Sequence, residues 1–302
     1  MTRRARLEQT MAFAHPEFLV STDWLAEHLA DDDVRVFEST VFLRRDDSGF
    51  RVEPGRGEYE AGHIPGAGFL DLQGDFSDND QALRFMMPSA EAFAGAAGRH
   101  GISETSRLVL YDRAGSSWAA RLWWMFRSMG CERVAVLDGG WKRWAEEGRA
   151  VSTDEATYEP TTFTPTADPA RFADLAEVRA FIEAGDGGGS CLINALSREQ
   201  HAGADGGGAY GRPGHIPGAV NVPAMELTDP DTGLYLPAAE LAAAFEEAGA
   251  DRAQRVVTYC GGGIAASNDA FVLSLLGYED VAVYDASMSE YAADPSLPLE
   301  VG

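Results

Sequence analysis

The chain has 302 residues, with 24 basic against 48 acidic side chains and a formal charge of −24. At roughly 150 residues per domain the length predicts two domains, and 45% hydrophobic residues let each bury an ordinary core. The charge excludes an electrostatic nucleic-acid binder, which needs clustered Lys and Arg, and a binder of anionic membrane surfaces.

In chain order, the start MTRRARLEQTMAF is basic but lacks the apolar stretch of a secretory signal; Met1 and Met11 are both possible initiators. Apolar periodicity then predicts a helix over 23–29, a strand over 34–38 and a helix over 89–100. A strand over 108–111, a helix over 118–129 and a strand over 134–137 follow. Residues 151–170 are rich in Thr, Pro and Asp and read as a linker between a domain at 1–150 and another at 171–302. The second half repeats the order: helix 174–184, strand 191–195, a strand end at 221–223, helix 237–248, strand 256–259, helix 265–276 and strand 281–284. The Gly-rich stretches 185–189 and 203–208 read as surface loops. Short β-branched runs alternating with helices predict an α/β fold, each domain a mainly parallel sheet with helices on both faces. No run of about 18 apolar residues predicts a transmembrane helix.

Three landmarks recur in the same order at nearly constant spacing. The string GHIPGA occurs at 62–67 and 214–219, with His63 and His215 152 residues apart. LVLYDRAG at 108–115 matches VVTYCGGG at 256–263, with the tyrosines 148 apart. VAVLDGGW at 134–141 matches VAVYDASM at 281–288, 147 apart. The spacing equals one domain, so the chain is a tandem duplication.

The copies differ after the matched tyrosines: Asp112-Arg-Ala-Gly in the first, Cys260-Gly-Gly-Gly-Ile-Ala in the second. Ligands of open α/β sheets bind beyond the carboxyl ends of strands, and Cys260 stands at such an end, before a helix. Three glycines let the loop's N–H groups turn inward as an anion nest. Such a nest, with the helix dipole, stabilises a thiolate or a bound sulfur anion. Cys131 and Cys191 lie far from Cys260 and from each other, read as buried bystanders, and form no zinc spacing, so no metal is expected. Cys131, near a helix end, is open to oxidation on this reading. An odd cysteine count without a signal peptide predicts a reducing cytoplasm. His63 and His215 recur in both copies, including the one without cysteine, which predicts a structural role. Trp118, Trp123, Trp124, Trp141 and Trp144 read as core or interface anchors. Lys142 is the only lysine; an acidic, lysine-poor surface suits high salt, and the codon bias of a GC-rich genome is the simpler explanation.

GHIPGA in both halves, VAVLDGGW, YCGGGIA and VAVYDAS together resemble the tandem-domain rhodanese-like sulfurtransferases, over nearly the whole chain. In that family the first domain has no catalytic cysteine, as Asp112 matches. The resemblance implies that Cys260 takes a sulfane sulfur from an anionic donor, as a persulfide, and passes it to a thiophilic acceptor such as cyanide or a thiol. It further implies that Gly261, Gly262, Gly263, Ile264 and Ala265 bind the sulfur through backbone N–H groups, with neither metal nor organic cofactor. Arg212, just before Pro213-Gly-His215, falls where the family often has a substrate-binding Arg; Arg198 in the same loop is a second candidate. Arg113 and Arg121 are expected to line a cleft or to form ion pairs.

The chain departs from the family at several positions. Gly261 and Gly262 stand where thiosulfate-preferring members carry Arg and Lys. Gly262 takes the Ser position of mercaptopyruvate-preferring members; Asp71 matches their Asp, but Phe85 takes the His position, so a Ser–His–Asp relay is absent. Asn194-Ala195-Leu196 replaces Asp-Ala-Arg, and Ala265 replaces a Thr. Thiosulfate is the favoured donor, with 3-mercaptopyruvate the alternative and a non-catalytic binding or sulfur-relay module the alternative of another class. A cysteine phosphatase or arsenate reductase ranks last, because the Arg such loops need is Ala266.

Overall fold

The computed structural model describes residues 12–46, 49–185, 189–207 and 210–302; the possible start sites and parts of the two Gly-rich stretches lie outside them. The chain divides into an N-terminal unit, Phe18–Pro169 with Pro230–Leu234, and a C-terminal unit, Ala170–Asp229 and Tyr235–Gly302 together with residues 12–17.

The N-terminal unit contains β1 (Leu19–Val20), α1 (Thr22–His28), β2 (Val34–Glu38), β3 (Val41–Asp46), β4 (Gly49–Pro54) and α2 (Arg56–Ala61). It continues with β5 (Gly68–Phe69), α3 (Ala90–Arg99), β6 (Arg107–Tyr111), α4 (Ser117–Ser128), β7 (Val134–Leu137) and α5 (Gly140–Glu146). Its parallel sheet has the order β1-β7-β6-β2-β5. The C-terminal unit contains β8 (Phe172–Ala173), α6 (Leu175–Ala184), β9 (Ser190–Asn194), α7 (Arg198–His201) and β10 (Val220–Asn221). Then come α8 (Ala238–Glu247), β11 (Arg255–Tyr259), α9 (Ile264–Leu275), β12 (Val281–Tyr284) and α10 (Ser287–Tyr291). Its sheet, β8-β12-β11-β9-β10, is also parallel and has the same topology. The expected α/β architecture and the duplication are therefore both present. The antiparallel hairpin β3–β4 is an addition of the first copy; its alternating Arg-rich sequence carries no buried stripe from which to read it.

Central strands of a parallel sheet covered on both faces are continuously apolar. Residues 108–111 of β6, all of β7, 256–259 of β11 and all of β12 are buried. Helix α9 is buried throughout Ala266–Leu275, which is why its sequence lacks an amphipathic stripe. Trp123, Trp124 and Trp144 are fully enclosed, and the indoles of Trp123 and Trp144 donate to the Val134 and Ala150 carbonyls at 2.8 Å. Residues 151–169, expected to be a linker, count instead with the N-terminal unit. Phe163 is buried between Phe93 and Phe126, and the Tyr158 hydroxyl receives the Val36 N–H and donates to the Gly66 carbonyl. Isolated aromatic anchors in a Thr/Pro-rich stretch produce no periodic pattern, so the sequence hides this packing.

Both GHIPGA motifs fold alike. Gly66 and Gly218 have φ of +77° and +75°, and Ala67 and Ala219 donate back to the Ile64 and Ile216 carbonyls. Pro then Gly with positive φ is the type II turn signature. The tyrosines ending β6 and β11 receive the Ile64 and Ile216 N–H groups on their hydroxyls at 3.3 and 3.1 Å. Each motif histidine donates Nδ1–H to a carbonyl at 2.7 Å, His63 to Tyr59 and His215 to His201. Each also stacks on that partner's ring, at 3.9 and 3.7 Å between centroids. These contacts give the histidines the structural role expected of them.

Burial, then the neighbouring His215, lowers the His201 pKa from 6.5 to about 4. The unfolded chain therefore binds a proton before the folded one, and stability falls as pH drops from about 6.5 toward 4. Replacing His201 by Tyr, the residue the first copy carries at that place, is expected to weaken this acid sensitivity. Chemical unfolding midpoints at pH 7 and pH 5 check it; an equal pH-dependent loss in both proteins would refute it.

Candidate active site

Strand β11 carries the chain to Cys260 at the carboxyl edge of the sheet, where β9 and β12 also end. The loop from Cys260 to Gly263 then turns into α9, with Gly263 at φ +80° as its N-cap. Helix α10 pins the loop from one side. The Cys260 N–H donates to Ser287 Oγ at 3.0 Å, whose hydroxyl donates to the Tyr284 carbonyl at 2.6 Å. The Cys260 carbonyl receives Met288 N–H, and the Gly261 carbonyl receives both Ser289 N–H and Ser289 Oγ. Ser267 Oγ closes the helix start on the Gly263 carbonyl at 2.6 Å. The loop's carbonyls are thus turned outward and held. Among the described residues, nothing accepts from the N–H groups of Gly261, Gly262, Gly263, Ile264 or Ala265. Cys260 itself is only 2% exposed.

The same place in the first copy shows what such a loop holds. Asp112 follows β6, is 2% exposed, and accepts four backbone N–H groups through its carboxylate. Ala114 and Ser116 donate to Oδ1 at 2.7 and 3.0 Å, and Trp118 and Ala119 to Oδ2, both at 2.9 Å. Burial raises the Asp112 pKa, and the four N–H groups oppose that rise. One copy fills its strand–loop–helix turn with its own anion; the other presents N–H groups beside a thiol.

The rhodanese-like domain family matches residues 21–147 and 182–294. The chain belongs to that family. It is 36% identical to the sulfur carrier protein TtuD of Thermus thermophilus, covering 97% of this chain and 99% of the relative. It is 35% identical to thiosulfate/3-mercaptopyruvate sulfurtransferase 2 of Arabidopsis thaliana, covering 94% and 86%. Among solved structures it matches SseA of Escherichia coli, described as a 3-mercaptopyruvate sulfotransferase with the rhodanese fold, at a TM-score of 0.77 and 29% identity. That match covers 89% of this chain and 98% of that one. The chain, a rhodanese-like protein along nearly its whole length, is a sulfurtransferase.

Other residues singled out in the rhodanese-like sequence have local tasks. Arg212 donates from both terminal nitrogens to carbonyls, Nη1 to Asp294 at 2.8 Å and Nη2 to Leu297 at 2.7 Å, so its guanidinium clamps the C-terminal segment. The expectation that it binds substrate rested on its neighbourhood in sequence, which cannot show which way the guanidinium turns. Arg198 is exposed and forms a bidentate pair with Glu226. Arg113 pairs with the fully buried Glu38 and lies over the Trp141 ring, while Arg121 is enclosed and donates to the Phe85 carbonyl. Asp71 receives the Gly74 N–H within its own turn. Burial pushes the Cys131 thiol up to about 12 and Cys191 to about 11; Cys131 is fully enclosed, not poised for oxidation.

Arg212→Ala is expected to lower the thermal midpoint while leaving KM for an anionic donor unchanged; a raised KM with unchanged stability would return Arg212 to the site. Asp112→Ala leaves four N–H groups without an acceptor, those of Ser116, Trp118 and Ala119 on buried residues, and is expected to destabilise by roughly 2–4 kcal/mol. Guanidinium unfolding measures it, and a change under about 0.5 kcal/mol, typical of a surface site, would show that the carboxylate does not organise the loop.

Proposed function

We propose that this sulfurtransferase carries its sulfur on Cys260 as a persulfide, taken from thiosulfate and passed to a thiol or cyanide. The observation that carries this reading is the set of five N–H groups from Gly261 to Ala265, which have no acceptor among the described residues. They belong to the loop and helix start that follow a strand end, at the place where the sister copy holds a carboxylate. Backbone N–H groups together with a helix N-terminus favour an anion. That suits the thiolate, the incoming donor and the terminal sulfur left after transfer.

The donor follows from what the leaving group needs. The Cys260 thiolate attacks the outer sulfur of thiosulfate, an S–S bond forms, and sulfite departs with the electron pair of the broken bond. Sulfite is a stable anion and needs no proton. A mercaptopyruvate donor leaves as an enolate, which must be protonated at carbon. Gly262 provides no hydroxyl, and Phe85 with a buried ring provides no base. These residues favour thiosulfate, with 3-mercaptopyruvate the second donor. Three free cysteines support a reducing, cytoplasmic setting. Among the described residues, no helix is long and apolar enough to cross a membrane.

Intact mass after thiosulfate treatment is expected to rise by one sulfur atom, and Cys260→Ser is expected to abolish the gain. A silent sulfur-binding module would show no transfer to cyanide after loading, and absence of any Cys260-dependent adduct with either donor would overturn the persulfide reading.

A further inference from the structure

Position 261 has room for a side chain only if Tyr210 moves away. A Cβ there would lie 1.8 Å from the Tyr210 hydroxyl oxygen and 2.5 Å from the ring carbon that bears it. The phenol head therefore rests against the Gly261 backbone, next to Cys260. The space from which the Arg of thiosulfate-preferring members would project is occupied by a different polar group, delivered from another part of the chain.

Tyr210 sits on a stretch that the first copy lacks. Tyr59 precedes His63 by four residues, whereas His201, its counterpart in the ring stack, precedes His215 by fourteen. The longer connection occurs in the copy with the cysteine. The Tyr210 hydroxyl makes no hydrogen bond among the described residues. Burial, then the charge of Cys260, then that of Asp205, raise its pKa, so at neutral pH it is a phenol with a proton to share.

We propose that the Tyr210 hydroxyl donates a hydrogen bond to the terminal sulfur carried on Cys260, making that sulfur open to attack by the acceptor. This rests on the persulfide reading above. A persulfide is an anion at its outer sulfur, and an anionic acceptor is repelled by it. In the discharge step the acceptor's electron pair forms a bond to the outer sulfur, and the S–S bond breaks with its pair returning to Cys260. Sulfur moves as a neutral atom, a thiolate becomes a persulfide anion or cyanide becomes thiocyanate, and no net proton is consumed. A phenol donor lowers the repulsion without leaving its place. The five N–H groups serve the anion; the hydroxyl serves its discharge.

The test separates the two half-reactions. The full chain is loaded with thiosulfate, freed of donor and sulfite, mixed with cyanide as acceptor, and followed by mass through a single turnover. Tyr210→Phe keeps the ring and is expected to load as fully as the parent, with an unchanged thermal midpoint. Its discharge is expected to slow by about tenfold to a hundredfold, the effect of one hydrogen bond to a charged group. The ratio of parent to variant rates cancels the protonation of cyanide. It is expected to shrink as pH falls toward 5, where the outer sulfur acquires a proton of its own. Equal discharge rates at pH 7 would overturn the proposal. So would a ratio that stays constant with pH, or a defect seen in Tyr210→Ala but not in Tyr210→Phe, since either assigns the ring a packing role. Failure of the parent to load on Cys260 is a separate result, seen before any variant is compared, and it overturns the persulfide reading and this proposal with it.

Discussion

A strand that ends in a tight loop before a helix leaves several backbone N–H groups without partners, and each must be answered if it is buried. This chain meets that constraint twice. After β6 the answer is covalent: the Asp112 carboxylate takes four of the N–H groups and closes the loop on itself. After β11 the residue at that place is a cysteine, whose thiol is a poor acceptor. The demand is then left open to an acceptor from outside the chain, and the proposed anion would answer it. The same local geometry yields a self-satisfied structural turn in one copy and a loop of unanswered N–H groups in the other. The elements around it hold the loop in place, with Ser287 Oγ accepting from the Cys260 N–H and Met288 and Ser289 donating to the Cys260 and Gly261 carbonyls.

Charge sharpens the point. A chain of formal charge −24 opposes the approach of an anionic donor over long range. The arginines nearest in sequence do not compensate, since Arg212 is committed to two carbonyls and Arg198 to Glu226. On the proposed reading, binding would depend on fixed dipoles at short range, which salt screens far less than it screens surface charges. High ionic strength should quiet the global repulsion and spare the local attraction, so an acidic surface and an anionic substrate are compatible.

Much of this was legible in the sequence. The duplication, the parallel sheets and the position of Cys260 at a strand end all follow from three repeated strings and short apolar runs. The GHIPGA turn was legible too, because Pro-Gly with a following Ala dictates its own backbone. Contacts made by single side chains over long stretches of chain were not. Phe163 and Tyr158 anchor a segment that reads as a linker, and Tyr210 reaches Gly261 across fifty residues. Arg212 shows the converse: its position in the chain suggested a ligand, and only its hydrogen bonds revealed a clamp. Sequence pattern reports periodic burial; it carries no record of where one guanidinium or one phenol points.

Asp269 brings the same logic to the interior of the C-terminal unit. Its carboxyl is fully buried on α9 and neither oxygen has a hydrogen-bond partner among the described residues. Burial alone raises its pKa well above the ordinary value, which favours the protonated, uncharged form. An ionised Asp269 would place a second negative charge on the helix whose N-terminus faces Cys260, and would compete with the sulfur anion for the same dipole. Favouring the uncharged form of that carboxyl lessens the opposition to the helix dipole at the N-terminal end of α9, the end that meets the loop.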